Sequence, residues 1–187
     1  PVVKFVEQVI SRAVTIPASH PHTPPHPHTH GHPDHTMANA EVREGLAAAQ
    51  PFAPKLAIHE GDRGMVEEPA MYWLLVGLRP GACKVDEILQ DGAALQIGEM
   101  TFRVLSLPGH SPGSVVFVVD DAAFTGDVLF SGSIGRTDLP GGNMAQMMAS
   151  LRRLVSELPP DTVVYSGHGP ATTMAQELAS NDWLQDI

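Results

Sequence analysis

The sequence predicts a mixed α/β (α+β) domain, on three observations. Short apolar runs of strand length alternate with amphipathic stretches at helical spacing. Gly, Pro and paired Asp residues punctuate the boundaries between them. Chemistry-bearing residues fall just after the predicted strands, where a packed sheet presents side chains to a common cleft. The chain of 187 residues is read as one domain, 1–187, because domains run to roughly 100–200 residues. A 43% hydrophobic and 17% charged composition is that of a chain able to bury a core.

Taken in order, residues 2–13 place Val2, Phe5, Val6, Val9 and Ile10 on one helical face. Residues 17–33 hold six prolines, which exclude helix interior and central strand, so residues 17–29 are read as an irregular His/Pro-rich segment. Residues 34–49 return to helical texture and 55–59 form a short strand ending at His59, read as the end of an edge strand. Residues 61–77 are ambiguous, with Trp73, Leu74 and Leu75 turned inward. Alternation in 94–107 around Gly98-Glu99 gives a hairpin. A strand at 114–119, a turn at Asp120-Asp121 and a returning strand at 123–126 put Asp127 at a strand end. Met147, Leu151, Leu154, Val155 and Leu158 define a helix over 143–158, stopped by Pro159-Pro160. Residues 162–165 form a buried strand and 172–179 a closing helix.

The charge balance, 11 Lys+Arg against 21 Asp+Glu, offers no basic footprint for nucleic acid or an anionic membrane surface. No apolar stretch approaches the ~20 residues that span a bilayer. The single cysteine, Cys83, forms no internal disulfide and is read as a packed residue; with no signal-peptide pattern, a cytoplasmic location is expected.

Histidine placement carries the functional signal, since seven of the 10 lie between His20 and His35. His20, His22, His26 and His28 read as low-complexity composition. The segment from Thr29 to His35 (THGHPDH) is different, because imidazoles and a carboxylate so closely spaced are the donors that hold zinc or iron. In extended chain, residues two apart share a face, so His30 and His32 reach one ion together. Asp34 and His35, at the turn into the next helix, face elsewhere and suit a second. His110, Asp127 and His168, each beside glycine and after a strand, are the candidates to complete the set. Arg136 and Asp138 are expected to pair and brace their loop, and Met144, Met147 and Met148 to pack in the core.

These motifs together resemble those of metallo-β-lactamase-superfamily hydrolases, closest to the short proteins similar to glyoxalase II. The resemblance rests on T-H-x-H-x-D-H at Thr29 to His35, P-G-H-S-P-G at Pro108 to Gly113 and F-T-G-D at Phe124 to Asp127. It continues with G-R-T-D-L-P-G-G at Gly135 to Gly142 and S-G-H-G at Ser166 to Gly169. It implies an αββα sandwich, with the N-terminal part incomplete because the His/Pro-rich segment stands where the family carries a buried strand. It further implies two divalent ions, zinc first with iron or manganese as alternatives. His30, His32 and His110 would hold one, Asp34, His35 and His168 the other, and Asp127 would bridge them.

Two such ions lower the pKa of a shared water toward ~7 and polarise a carbonyl. The activity implied is hydrolysis of a small-molecule acyl thioester, with Asp34 also orienting the water as a catalytic carboxylate. Two alternatives stand beside it: a mono-iron sulfur dioxygenase using the first site alone, and a non-catalytic metal-binding fragment. The oligomeric state is left open.

Overall fold

The structure, a computed structural model, describes residues 25–49, 55–69, 73–74, 77–185 and 187. The helix expected over 2–13 lies outside them. Two sheets face each other with helices on both outer sides, the αββα order expected. The larger sheet is built from β4 (Ala94–Ile97), β5 (Met100–Ser106), β6 (Val115–Val119), β7 (Ala122–Gly126), β10 (Val163–Ser166) and β11 (Thr172–Thr173). Its strand order is β11-β10-β7-β6-β5-β4. The smaller sheet, among the described residues, is β1 (Pro25–Pro27), β2 (Lys55–His59) and β3 (Glu87–Leu89), all parallel, with β2 in the centre. A hairpin of β8 (Leu129–Phe130) and β9 (Ser133–Ile134) stands apart.

The period of two in each strand distributes its side chains between layers. From β5 and β6, Phe102, Val104, Val115, Phe117 and Val119 meet Ala57 and Leu89 of the smaller sheet, forming the layer between the sheets. The alternate residues Leu105 and Val116 join Met147, Leu151 and Leu154 of helix α4 (Met144–Glu157) on the outer side. Strand β6 is therefore buried on both faces, which is why it reads as an unbroken apolar run. Behind the smaller sheet, Leu56 and Ile58 pack on Val66 of helix α3 (Glu60–Glu67), together with Cys83, the packed role expected of that residue. Helix α4 starts where Asn143 Oδ1 accepts from the Gln146 amide at 3.0 Å and stops ahead of Pro159. Helix α5 (Met174–Ser180) closes the chain side of this layer.

Several expectations are corrected. The segment 17–29 is not irregular throughout, because Pro25–Pro27 pairs with β2 in parallel register. Successive residues of a strand turn their amides to opposite sides, and prolines at alternate positions leave the paired side intact. His28 N–H accordingly donates to Ala57 O at 2.9 Å. His28 itself is buried, and burial pushes its pKa down to about 3, so it is a core residue and not solvated composition. His59 ends a central strand, where its Nδ1 caps α3 by accepting from Gly61 N at 3.1 Å. The helix expected over 34–49 is two, α1 (Pro33–Thr36) and α2 (Asn39–Ala49). The closing helix begins only at Met174, after the short strand β11. Trp73 is buried as expected, whereas Leu74 is 52% exposed; Leu75 lies outside the described residues. Met147 is core, but Met144 faces solvent. No helix among the described residues is long and apolar enough to cross a membrane.

Candidate metal centre

The cleft is built at one edge of the sandwich by loops that leave both sheets. Strand β1 runs straight into Thr29, whose carbonyl accepts from Val115 N at 2.8 Å, so the smaller sheet delivers His30 and His32 onto the start of β6. Pro33 then opens α1 at a position where a missing N–H costs nothing, and this turn carries Asp34 and His35 to the side. Strands β7 and β10 are parallel neighbours, and Gly167 N donates to Gly126 O at 2.8 Å just beyond their pairing. Their carboxyl ends present Asp127 and His168 side by side, while the loop after β5 supplies His110.

All seven sequence-predicted residues converge, in two groups. His30, His32 and His110 form a buried set, and Asp34, His35, Asp127 and His168 form a second, more open one; within each, one donor atom per residue lies within 4.8 Å of all the others. In the first, His32 Nδ1 is 2.8 Å from His110 Nε2. In the second, His168 Nε2 is 3.0 Å from Asp34 Oδ2 and His35 Nε2 is 3.3 Å from Asp127 Oδ1. Asp127 touches both, its Oδ2 lying 3.5 Å from His110 Nε2 and 3.5 Å from His168 Nε2.

Second contacts fix the donors. A carbonyl only accepts, so the 2.8 Å contact of His110 Nδ1 with Arg136 O places the proton on Nδ1 and turns the Nε2 lone pair to the cleft. Arg136 is in turn held by Asp138 through two bonds of 2.7 Å, the brace expected from sequence. That pairing holds the Asp138 carboxyl down at about 2.

Electrostatics fit the same arrangement. Burial pushes the His30 imidazole far below its ordinary value, with His35, His110 and His32 adding repulsion. Burial and His110 lower His32 to about 4, against the opposing pull of Asp34 and Asp127. Both stay neutral, the form that offers a lone pair. Burial works to raise Asp127, but the imidazoles of His35, His110 and His168 outweigh it and hold the carboxyl below its usual range.

Whether this donor set fits a metal is answered by what it leaves unsatisfied. His30 Nε2 and His32 Nε2 are buried and lack a hydrogen-bond partner, a costly condition that a divalent cation removes. A Cβ built on Gly167 would run into Asp127 Oδ1 and lie 2.7 Å from His35 Cε1, so the backbone there leaves room only for the converging donors. Gly167→Ala is expected to weaken metal binding at this second group by at least about tenfold while leaving the tri-histidine group loaded. Metal titration followed by elemental analysis measures it.

The cleft beside these groups has a volume of about 410 Å³, walled by Trp73, Phe130, Ile134 and Leu139 and rimmed by Arg136. Two contributors had no separate sequence signal as site residues. Trp73 sets its ring edge-on to His32 at 5.4 Å, and Asp62, fully buried in α3, bonds to the histidine loops from behind.

The fold and site define a known class. The sequence model of the metallo-β-lactamase superfamily matches residues 28–168, and the chain belongs to that superfamily, whose members bind divalent metals and act as hydrolases. The chain is 43% identical over 97 residues to hydroxyacylglutathione hydrolase GloC of Haemophilus influenzae, a match covering 51% of this chain and 46% of that one. It thus spans under half the length of this relative. Among solved structures it is similar to the BLEG-1 B3 metallo-β-lactamase (40% identity, TM-score 0.75), over 84% of this chain and 75% of that one. It is also similar to TTHA1623 in a di-iron-bound form (38%, TM-score 0.74), over 84% and 76%.

Proposed function

We propose that the chain is a dinuclear metallohydrolase of small acyl thioesters. The observation that carries this reading is the position of Asp127, with one carboxylate oxygen equally distant from a histidine of each group. His30, His32 and His110 would hold one ion and Asp34, His35 and His168 the other, with Asp127 between them. Zinc is the first candidate and iron the second, the relative TTHA1623 having been solved with two irons. When bound, such ions supply Lewis acidity that lowers the pKa of water toward ~7 and polarises a carbonyl.

The rest falls to the protein. Asp34, half-exposed at the cleft wall, accepts a hydrogen bond from the attacking water and orients it. Trp73, Phe130 and Ile134 pack on the acyl part of the substrate and exclude bulk water from it. A thiolate leaves without a strong general acid, so the cleft needs to supply none. GloC, with its hydroxyacylglutathione substrate, supports this class of substrate. The likeness to BLEG-1 favours a second reading, β-lactam hydrolysis, at the same site. A mono-iron dioxygenase would use the first group with Asp127, and one iron per chain with oxygen consumption in place of thiol release would favour it.

Elemental analysis of the purified chain, paired with thiol release from S-lactoylglutathione, tests the proposal. About two metals per chain and a chelator-sensitive release are expected. Cleavage of a chromogenic cephalosporin without thiol release would replace the thioester reading by the β-lactam one. Bound metal with neither activity would leave a binding protein.

A further inference from the structure

Asp62 lies outside the cleft, yet it is bonded to both loops that carry the tri-histidine group. Its Oδ2 accepts from the Gly31 amide, between His30 and His32, at 2.8 Å. The same oxygen accepts from the Ser111 hydroxyl, next to His110, at 2.6 Å, and Oδ1 accepts from the Gly113 amide at 2.6 Å. The side chain has no solvent exposure, and a buried carboxylate is tolerated only when donors replace its water.

The surroundings are shaped for it. A Cβ on Gly113 would lie 2.6 Å from Asp62 N and 2.7 Å from its Cγ. One on Gly31 would lie 3.0 Å from Asp62 Cβ, and one on Gly61 would lie 2.7 Å from the Pro112 backbone. Three glycines therefore let α3 and the two histidine loops close around one carboxylate. Asp62 bonds to no residue of the second group, which stands on the joined ends of β7 and β10 and on the α1 turn, itself tied to the His30–His32 loop by Thr36 Oγ1 donating to His32 O at 3.0 Å.

We propose that Asp62 is a positioning residue for the tri-histidine group: it sets the spacing between the His30–His32 and His110 loops, and thereby that group's affinity for a divalent cation, while leaving the Asp34/His35/His168 group untouched. The proposal rests on the two-metal reading above. Removing a contact that orients first-rank ligands typically costs about 10–100-fold in metal affinity.

The test is a zinc titration against a competing chromophoric chelator, with cobalt absorption spectra as a second readout, on wild type, Asp62→Asn and Ser111→Ala. In Asp62→Asn an amide NH2 replaces one acceptor and meets the loop donors head-on. One of two binding events is expected to weaken about 10–100-fold with an altered cobalt spectrum, the other to stay at the wild-type value. Ser111→Ala removes one donor only and is expected to shift the same event by a smaller factor. Wild type binding fewer than two ions would sink the two-metal reading itself, a result separable from failure of the variants. Asp62→Asn with both events unchanged, or with both weakened alike, would overturn the positioning role. If that variant does not fold, Ser111→Ala decides, and unaltered affinities there overturn the proposal.

Discussion

Asp127→Ala is expected to leave the chain with at most one bound metal and to lower thiol release by at least about a hundredfold. Disturbing groups that merely orient a ligand costs about 10–100-fold, and Asp127 is placed to act on both ions at once. Its Oδ2 sits 3.5 Å from His110 Nε2 and 3.5 Å from His168 Nε2, and its Oδ1 lies 3.3 Å from His35 Nε2. Removing it takes a negative charge from the point where the two groups meet, and the remaining imidazoles then repel each other with less compensation. Asp127→Asn keeps the shape and one oxygen but not the charge, so it is expected to bind more metal than the alanine variant and to turn over well below wild type. Metal content and thiol release are measured on the same preparations. Two metals and undiminished release in Asp127→Ala would end the shared-donor reading.

What the sequence disclosed, and what it hid, follows from the range over which each feature acts. The donor residues were legible because each sits in a local motif, His30 to His35 within one turn of chain and His110, Asp127 and His168 beside glycines at strand ends. The long elements were legible because β5, β6 and α4 are long enough for a period to repeat. Strands β8, β9 and β11 have two residues each, too few for any period, and exist because neighbouring chain supplies the pairing. Asp62 was invisible for a different reason. Its partners Gly31 and Ser111 are 31 and 49 residues away, and nothing local to His59-Glu60-Gly61-Asp62 marks a buried carboxylate. Glu177 repeats the pattern: fully buried, it accepts from Gly132 N at 2.9 Å and Thr172 Oγ1 at 2.6 Å, tying the β8–β9 turn to α5. The hairpin it holds carries Phe130 and Ile134 into the cleft wall. The β1 strand was missed because six prolines weigh against a strand on average, whereas pairing depends only on which side each proline faces.

The loop that delivers His110 gives the largest expected effect on stability. Gly109 has φ +150°, and a Cβ there would collide with the backbone of Met147 in α4, 2.5 Å from its amide nitrogen. A helix backbone does not step aside as a flexible side chain does, so α4 and the loop must separate. The loop is also tied to the start of that helix, Asn143 N donating to Gly109 O at 2.8 Å. Gly109→Ala is therefore expected to cost about 3 kcal/mol or more, overpacking and backbone strain together. Gly98→Ala supplies the control for strain alone. That glycine has φ +61° in the β4–β5 turn, a Cβ there would meet nothing within 4 Å, and a cost of about 1 kcal/mol is expected. Urea unfolding in the presence of chelator compares the two. Metal binding separates them further, because moving the Gly109 loop moves His110 away from His32, whereas the turn at Gly98 carries no donor. Equal losses of stability and equal metal affinities in the two variants would mean that the approach of α4 to the loop does not hold the tri-histidine group together.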